Sequence, residues 1–115
     1  MAVQRGPFVH EALLRLAAGT DSAAPGAAVT VELCGHWEHE GRCRWPHNNE
    51  IRSEGDVATF RTIFVAPLSE EREVHDRIES ALRSAAGWSV TASGSRALRP
   101  EEHSLATSLA KAPLA

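Results

Sequence analysis

The sequence predicts an α+β fold: a two-layer α/β sandwich in the order α-β-β-β-α-β-α. A mainly antiparallel four-stranded sheet would carry helices packed on one face. Three observations point there. Apolar residues recur at helical spacing near the start, through the 70s and near the end; they alternate with period two from Ala28 and from Trp88; Gly and Pro mark the joins. With 115 residues, 43% of them hydrophobic, the chain suits one domain over 1–115 with a sizeable core.

Phe8, Val9, Ala12, Leu13, Leu16 and Ala17 form one apolar stripe and predict the first helix. Pro7 suits its first turn and Gly19 the position beyond its end. Thr20 to Gly26 reads as a loop. From Ala28 the period becomes two: Val29, Val31, Leu33 and Trp37 share a face, and Thr30, Glu32, Cys34, His36 and Glu38 share the other. Arg42 to Trp45 is the short partner strand, ended by Pro46, and His47 to Asp56 is a polar connection.

Val57 to Ala66 is rich in β-branched and aromatic residues and reads as a central strand. Ser69 is the expected cap of a helix carrying Val74, Ile78, Ala81, Leu82 and Ala85, with Gly87 at its end. Trp88, Val90 and Ala92 make a short last strand, and a loop through Gly94 leads to a final helix opened by Pro100. One crossover helix would leave the last strand parallel to the third.

No run of about 18 apolar residues occurs, so no membrane span is expected, and residues 1–7 lack the apolar stretch of a secretory signal. A cytoplasmic location is the resulting expectation. The formal charge is −3, with eleven arginines against the single Lys111, which argues against general nucleic-acid binding. Heavy use of Ala and Arg fits a GC-rich, bacterial genome. Cys34 and Cys43 are expected to be reduced thiols.

Chemistry concentrates in Cys34–His47, which holds both cysteines, three of six histidines and two of three tryptophans. Cys34, His36, Cys43 and His47 are zinc-ligand types, but their spacing matches neither a paired CxxC site nor a C2H2 finger. Hairpin register decides whether they converge. A loop of Glu40-Gly41 places all four on one face, with Glu38 beside them. A loop of His39-Glu40-Gly41 separates Cys34 from Cys43, sorts apolar from polar almost completely and puts Gly41 where positive φ is needed. The second register is preferred, so zinc is the alternative and no cofactor the main expectation.

That register leaves a polar face of His36, Glu38 and Arg44 beside Trp45 and His47, the expected ligand-binding residues. Trp and Arg are types that anchor interfaces. A cysteine enzyme built on Cys34 and His36 is a further alternative, lacking an oxyanion site and a third orienting group. His10, His75 and His103 read as solvated surface residues. The α-β-β-β-α order is similar to that of double-stranded RNA-binding domains. Those domains start their second helix with lysines, whereas this one starts Ser69-Glu70-Glu71, so RNA binding is not expected. The reading is a small binding or regulatory module for an unknown protein or small molecule, with a homodimer open to it through the polar sheet face.

Overall fold

The computed structural model describes residues 4–35 and 44–111. Its elements run β1 (Arg5–Leu16), α1 (Ala24–Cys34), β2 (His47–Glu54), β3 (Val57–Pro67), α2 (Glu71–Arg83), β4 (Trp88–Arg96) and α3 (His103–Ala110). The strands form one antiparallel sheet in the order β2-β3-β1-β4. The α+β class and the four-stranded antiparallel sheet hold. The first six elements follow the β-α-β-β-α-β, split β-α-β (ferredoxin-like) arrangement. As expected, β4 runs in the direction of β3, with β1 between them.

The order differs from expectation in the first half, where the first two elements exchange type. Residues 5–16 form a strand because β1 is central and covered on both faces. Phe8, His10, Ala12 and Leu14 alternate with Val9 and Glu11, and apolar residues on both faces mimic a helical stripe. Pro7 is tolerated because β1 pairs with β3 from Arg5 but with β4 only from Val9. At Pro7 the strand has one neighbour, so a missing N–H breaks no ladder.

Residues 24–34 form a helix. Pro25, Val29, Thr30 and Leu33 are buried, a helical stripe, while Val31 is 47% exposed. Pro25 in the first turn and Gly35 at φ 80° beyond the last bracket it, with Gly35 N–H bonded to Val31 O. The three-residue alternation Val29, Val31, Leu33 was too short to separate the two periods. The expected 28–38 strand is therefore absent from its described part, and both hairpin registers fall with it. The RNA-binding-domain order falls too.

The polar stretch 47–54 is the edge strand β2, paired only with β3. Ile51 is its one aliphatic side chain, and Glu50, Arg52 and Glu54 face solvent, which guards the edge against pairing with other chains. Gly55-Asp56 closes the β2–β3 hairpin, with positive φ at Gly55 alone, the II′ pattern. Ser69 lies in a short 3-10 turn and makes no capping bond; α2 begins at Glu71 with Glu71 and Glu73 in its first turn. Strand β4 extends through Gly94 to Arg96, beyond the expected end.

The helices lie on both faces, a second correction. α1 and α2 cover Ala12, Leu14, Phe60 and Phe64, while Ala106 of α3 packs with Val9 and Ile63 on the opposite face. There Arg61, 5% exposed, holds the last helix to the sheet. Its Nε and Nη2 donate to the two Glu102 oxygens at 2.7 Å each, and Nη1 donates to Glu11, its cross-strand partner, at 2.7 Å. The Arg61 bonds hold the Glu102 carboxyl down to about 2.

Arg61→Met should destabilise the protein by about 3–5 kcal/mol in denaturant unfolding, because it takes the bidentate partner from the buried Glu102 and leaves Glu11 only the longer contacts to the half-exposed Arg96 and Arg99, at 3.6 Å and 3.8 Å. The deficit should narrow as acid protonates those carboxyls. A loss below about 1 kcal/mol would mean that water already screens the cluster.

Candidate functional site

The expected site residues that are described, Cys34, Arg44, Trp45 and His47, fall at one corner, where α1 ends and β2 begins. Cys34 is the last residue of α1 and His47 the first of β2, with Cys34 Sγ 3.8 Å from His47 Nδ1. Cys34 is disulfide-bonded, contrary to the expectation of reduced thiols. The sequence has one other cysteine, Cys43, which lies outside the described residues together with His36, Glu38 and His39. A disulfide sulfur is neither a thiolate ligand nor a nucleophile. Among the described residues no three His, Cys, Asp or Glu side chains converge to hold a metal ion. No described helix is long and apolar enough to cross a membrane.

Trp45 is a core residue, 2% exposed, whose indole N–H donates to Glu70 Oε1 at 2.9 Å. The guanidinium groups of Arg44 and Arg77 lie 4.4 Å and 5.2 Å from its ring centroid. Arg44 is exposed and reaches Glu70 at 3.4 Å.

His47 belongs to a polar chain that sequence reading missed. Its Nδ1 donates to Trp45 O at 3.1 Å, which leaves Nε2 of the neutral ring to accept from Thr30 Oγ1 at 3.1 Å. Asn49 Nδ2 donates to Thr30 Oγ1 and to Gly26 O at 3.1 Å each, and Asn49 Oδ1 accepts from Thr62 Oγ1 at 2.8 Å. Side chains from α1, β2 and β3 thus lock one another. Asn49 sits in a segment that reads as a turn, so no signal marked it until β2 proved to be a strand.

Beside this chain a cleft of about 570 Å³ opens between the start of α1 and β2. Ile51 and Phe60 form its apolar floor, Ala23, Gly26 and Ala27 its helix wall, and Thr30 and Asn49 its polar end. Ser22 and Glu50 stand at the rim.

A second polar cluster lies under α2. His10 is 2% exposed, not solvated, because β1 turns it inward with Phe8 and Ala12. His75 joins it from α2 with Nδ1 atoms 2.8 Å apart, and Ser93 Oγ of β4 lies 2.7 Å from His10 Nε2. His10 was missed because its expected face assumed a helix at 8–17, and His75 because it lies beside the Val74, Ile78 and Leu82 stripe of α2, where it meets His10. His103 is exposed, as expected. Burial, and then the neighbouring His75, lower the His10 pKa from 6.5 to about 4. For Glu79, burial pushes upward, but hydrogen bonds from Ser93 and Arg83 outweigh it and leave the carboxyl below its ordinary value.

No family model, curated protein or solved structure matches the chain, so function has to be argued from these sites.

Acid should reveal His10. Between pH 6.5 and about 4 the unfolded imidazole binds a proton that the folded one refuses. The unfolded state then holds more protons, so stability falls as pH drops through that window, by at most about 3 kcal/mol. Denaturant unfolding of His10→Gln should lack this share of the slope. Equal slopes in the two proteins would contradict the assignment.

Proposed function

We propose that the protein is a small-molecule-binding module whose site is the cleft between α1 and β2. The observation that carries this is a preformed concavity of about 570 Å³ with an apolar floor and one polar end. Ligand sites are typically about 300–1,000 Å³, mostly apolar, with a few placed polar groups. The polar end is already braced: Asn49 is tied to Gly26, Thr30 and Thr62, so little ordering is left for a ligand to impose. Those ties also occupy both Asn49 amide hydrogens. Recognition therefore relies on shape and burial against Ile51 and Phe60 more than on new hydrogen bonds, which suits a compact, largely apolar molecule.

The expected ligand-binding corner adjoins this cleft through His47 and Thr30. In this reading His47 positions the wall through Thr30. Arg44 and Trp45 brace the chain leading into β2. The site moves from a hairpin face to a helix–strand cleft, while the binding role is retained.

An anilinonaphthalene sulfonate titration tests the proposal. Ala27→Trp fills the helix wall and should weaken dye binding at least about tenfold without changing the circular dichroism spectrum. Equal binding by the two proteins would place the dye, and the proposed site, elsewhere.

A further inference from the structure

The cluster under α2 can be read by counting hydrogens. His10 Nδ1 and His75 Nδ1 are 2.8 Å apart, and His10 Nε2 and Ser93 Oγ 2.7 Å. Ser93 Oγ bonds to Glu79 Oε2, and His75 Nε2 lies 3.2 Å from Glu71 Oε2. Each of these four contacts needs one hydrogen. Two neutral imidazoles and one hydroxyl supply three, and ionised carboxylates supply none. The chain is one hydrogen short.

We propose that this cluster is a proton-binding relay, taking up one proton beyond its neutral complement and so joining Glu71 to Glu79 by an unbroken chain of hydrogen bonds beneath α2. In one arrangement His75 carries both hydrogens, donating to Glu71 and to His10 Nδ1. His10 Nε2–H then donates to Ser93, and Ser93 donates to Glu79. In the other, Glu79 donates to Ser93, Ser93 to His10 Nε2, His10 Nδ1–H to His75, and His75 Nε2–H to Glu71. One hydrogen moves across each of the three inner contacts, and no net charge changes.

The surrounding groups favour the first arrangement. Arg83 pairs with Glu79 at 2.5 Å and favours its ionised form. From β4, Arg96 opposes a second charge on His10, as does His75 from α2. From β3, Phe64 presents a ring 5.2 Å from His75 and offers no proton acceptor. One added hydrogen completes the chain, whereas a second would set like charges on two adjoining imidazoles. When the proton leaves, the outermost contact fails first, because Glu71 is the more exposed partner, with side-chain exposure of 37% against 15% for His75. Two acceptors then face each other at the first turn of α2. The relay acts as a proton-sensitive latch on that helix.

Imidazole nitrogen NMR and denaturant unfolding test this. Near neutral pH, folded wild-type His75 should carry hydrogens on both nitrogens and His10 on Nε2 alone. The folded chain then holds the extra proton, so stability is lost as pH rises and the proton leaves, approaching a tenfold change in the folding equilibrium per pH unit. In Glu71→Gln the amide supplies its own N–H to His75 Nε2, so this pH dependence should disappear. Ser93→Ala should keep it, because His10 Nε2 is already 3.4 Å from Glu79 and the shorter chain is still one hydrogen short. A bare His75 Nε2 in the folded wild type, or the same alkaline slope in wild type and Glu71→Gln, would overturn the proposal. Loss of the slope in Ser93→Ala would do so too.

Discussion

Every other feature of the molecule depends on β1 being paired on both sides and covered on both faces. Its even-numbered residues from Phe8 to Leu14 look toward α1 and α2, and Val9 and Glu11 look toward α3. That alternation buries His10 under α2 and aims Glu11 at Arg61. Shifting the strand by one residue would exchange the two faces and place a carboxylate under α2. The register against β3 is therefore strongly specified, and Glu11↔Arg61 shows why.

The two polar networks divide the work along the sheet. At the β2 edge, Thr30, His47, Asn49 and Thr62 tie α1 to the sheet and leave a cleft beside them. Nearer β4, His10, His75 and Ser93 tie α2 to the sheet. Buried polar groups cost free energy unless bonded, so each network is also a demand that the elements around it stay in register. The cleft benefits directly: its polar end cannot relax without breaking bonds to both Gly26 and Thr62.

The second half of the fold was legible because its signals agree. Val57–Ala66 is rich in β-branched residues and buried from Phe60 to Ala66, Val74, Ile78 and Leu82 mark α2, and Pro100 precedes α3. The first half was not, because two-sided burial gives β1 a helix-like apolar stripe, while α1 carries apolar residues at alternate positions, Val29, Val31 and Leu33. Pro25 and Gly35 were the better guides there, as helix start and stop. The candidate site was located only to its neighbourhood. His47, an expected ligand residue, is bonded to Thr30 behind the cleft, whereas Asn49 and Thr30, which line the cleft, carry no motif. Trp45 fills the core, as tryptophans do in a chain with few aromatics.

Cross-strand contacts between backbone protons test the central claim most directly. If β1 is the doubly paired centre, Glu11 should show NOEs to Arg61 on one side and to Gly94 on the other, with slow amide exchange across Val9–Ala12. Sequential contacts of the i, i+3 type across residues 8–17, with no cross-strand partner for Glu11, would return that segment to a helix and remove the basis for the His10–His75–Ser93 cluster and for the Glu11–Arg61 pair.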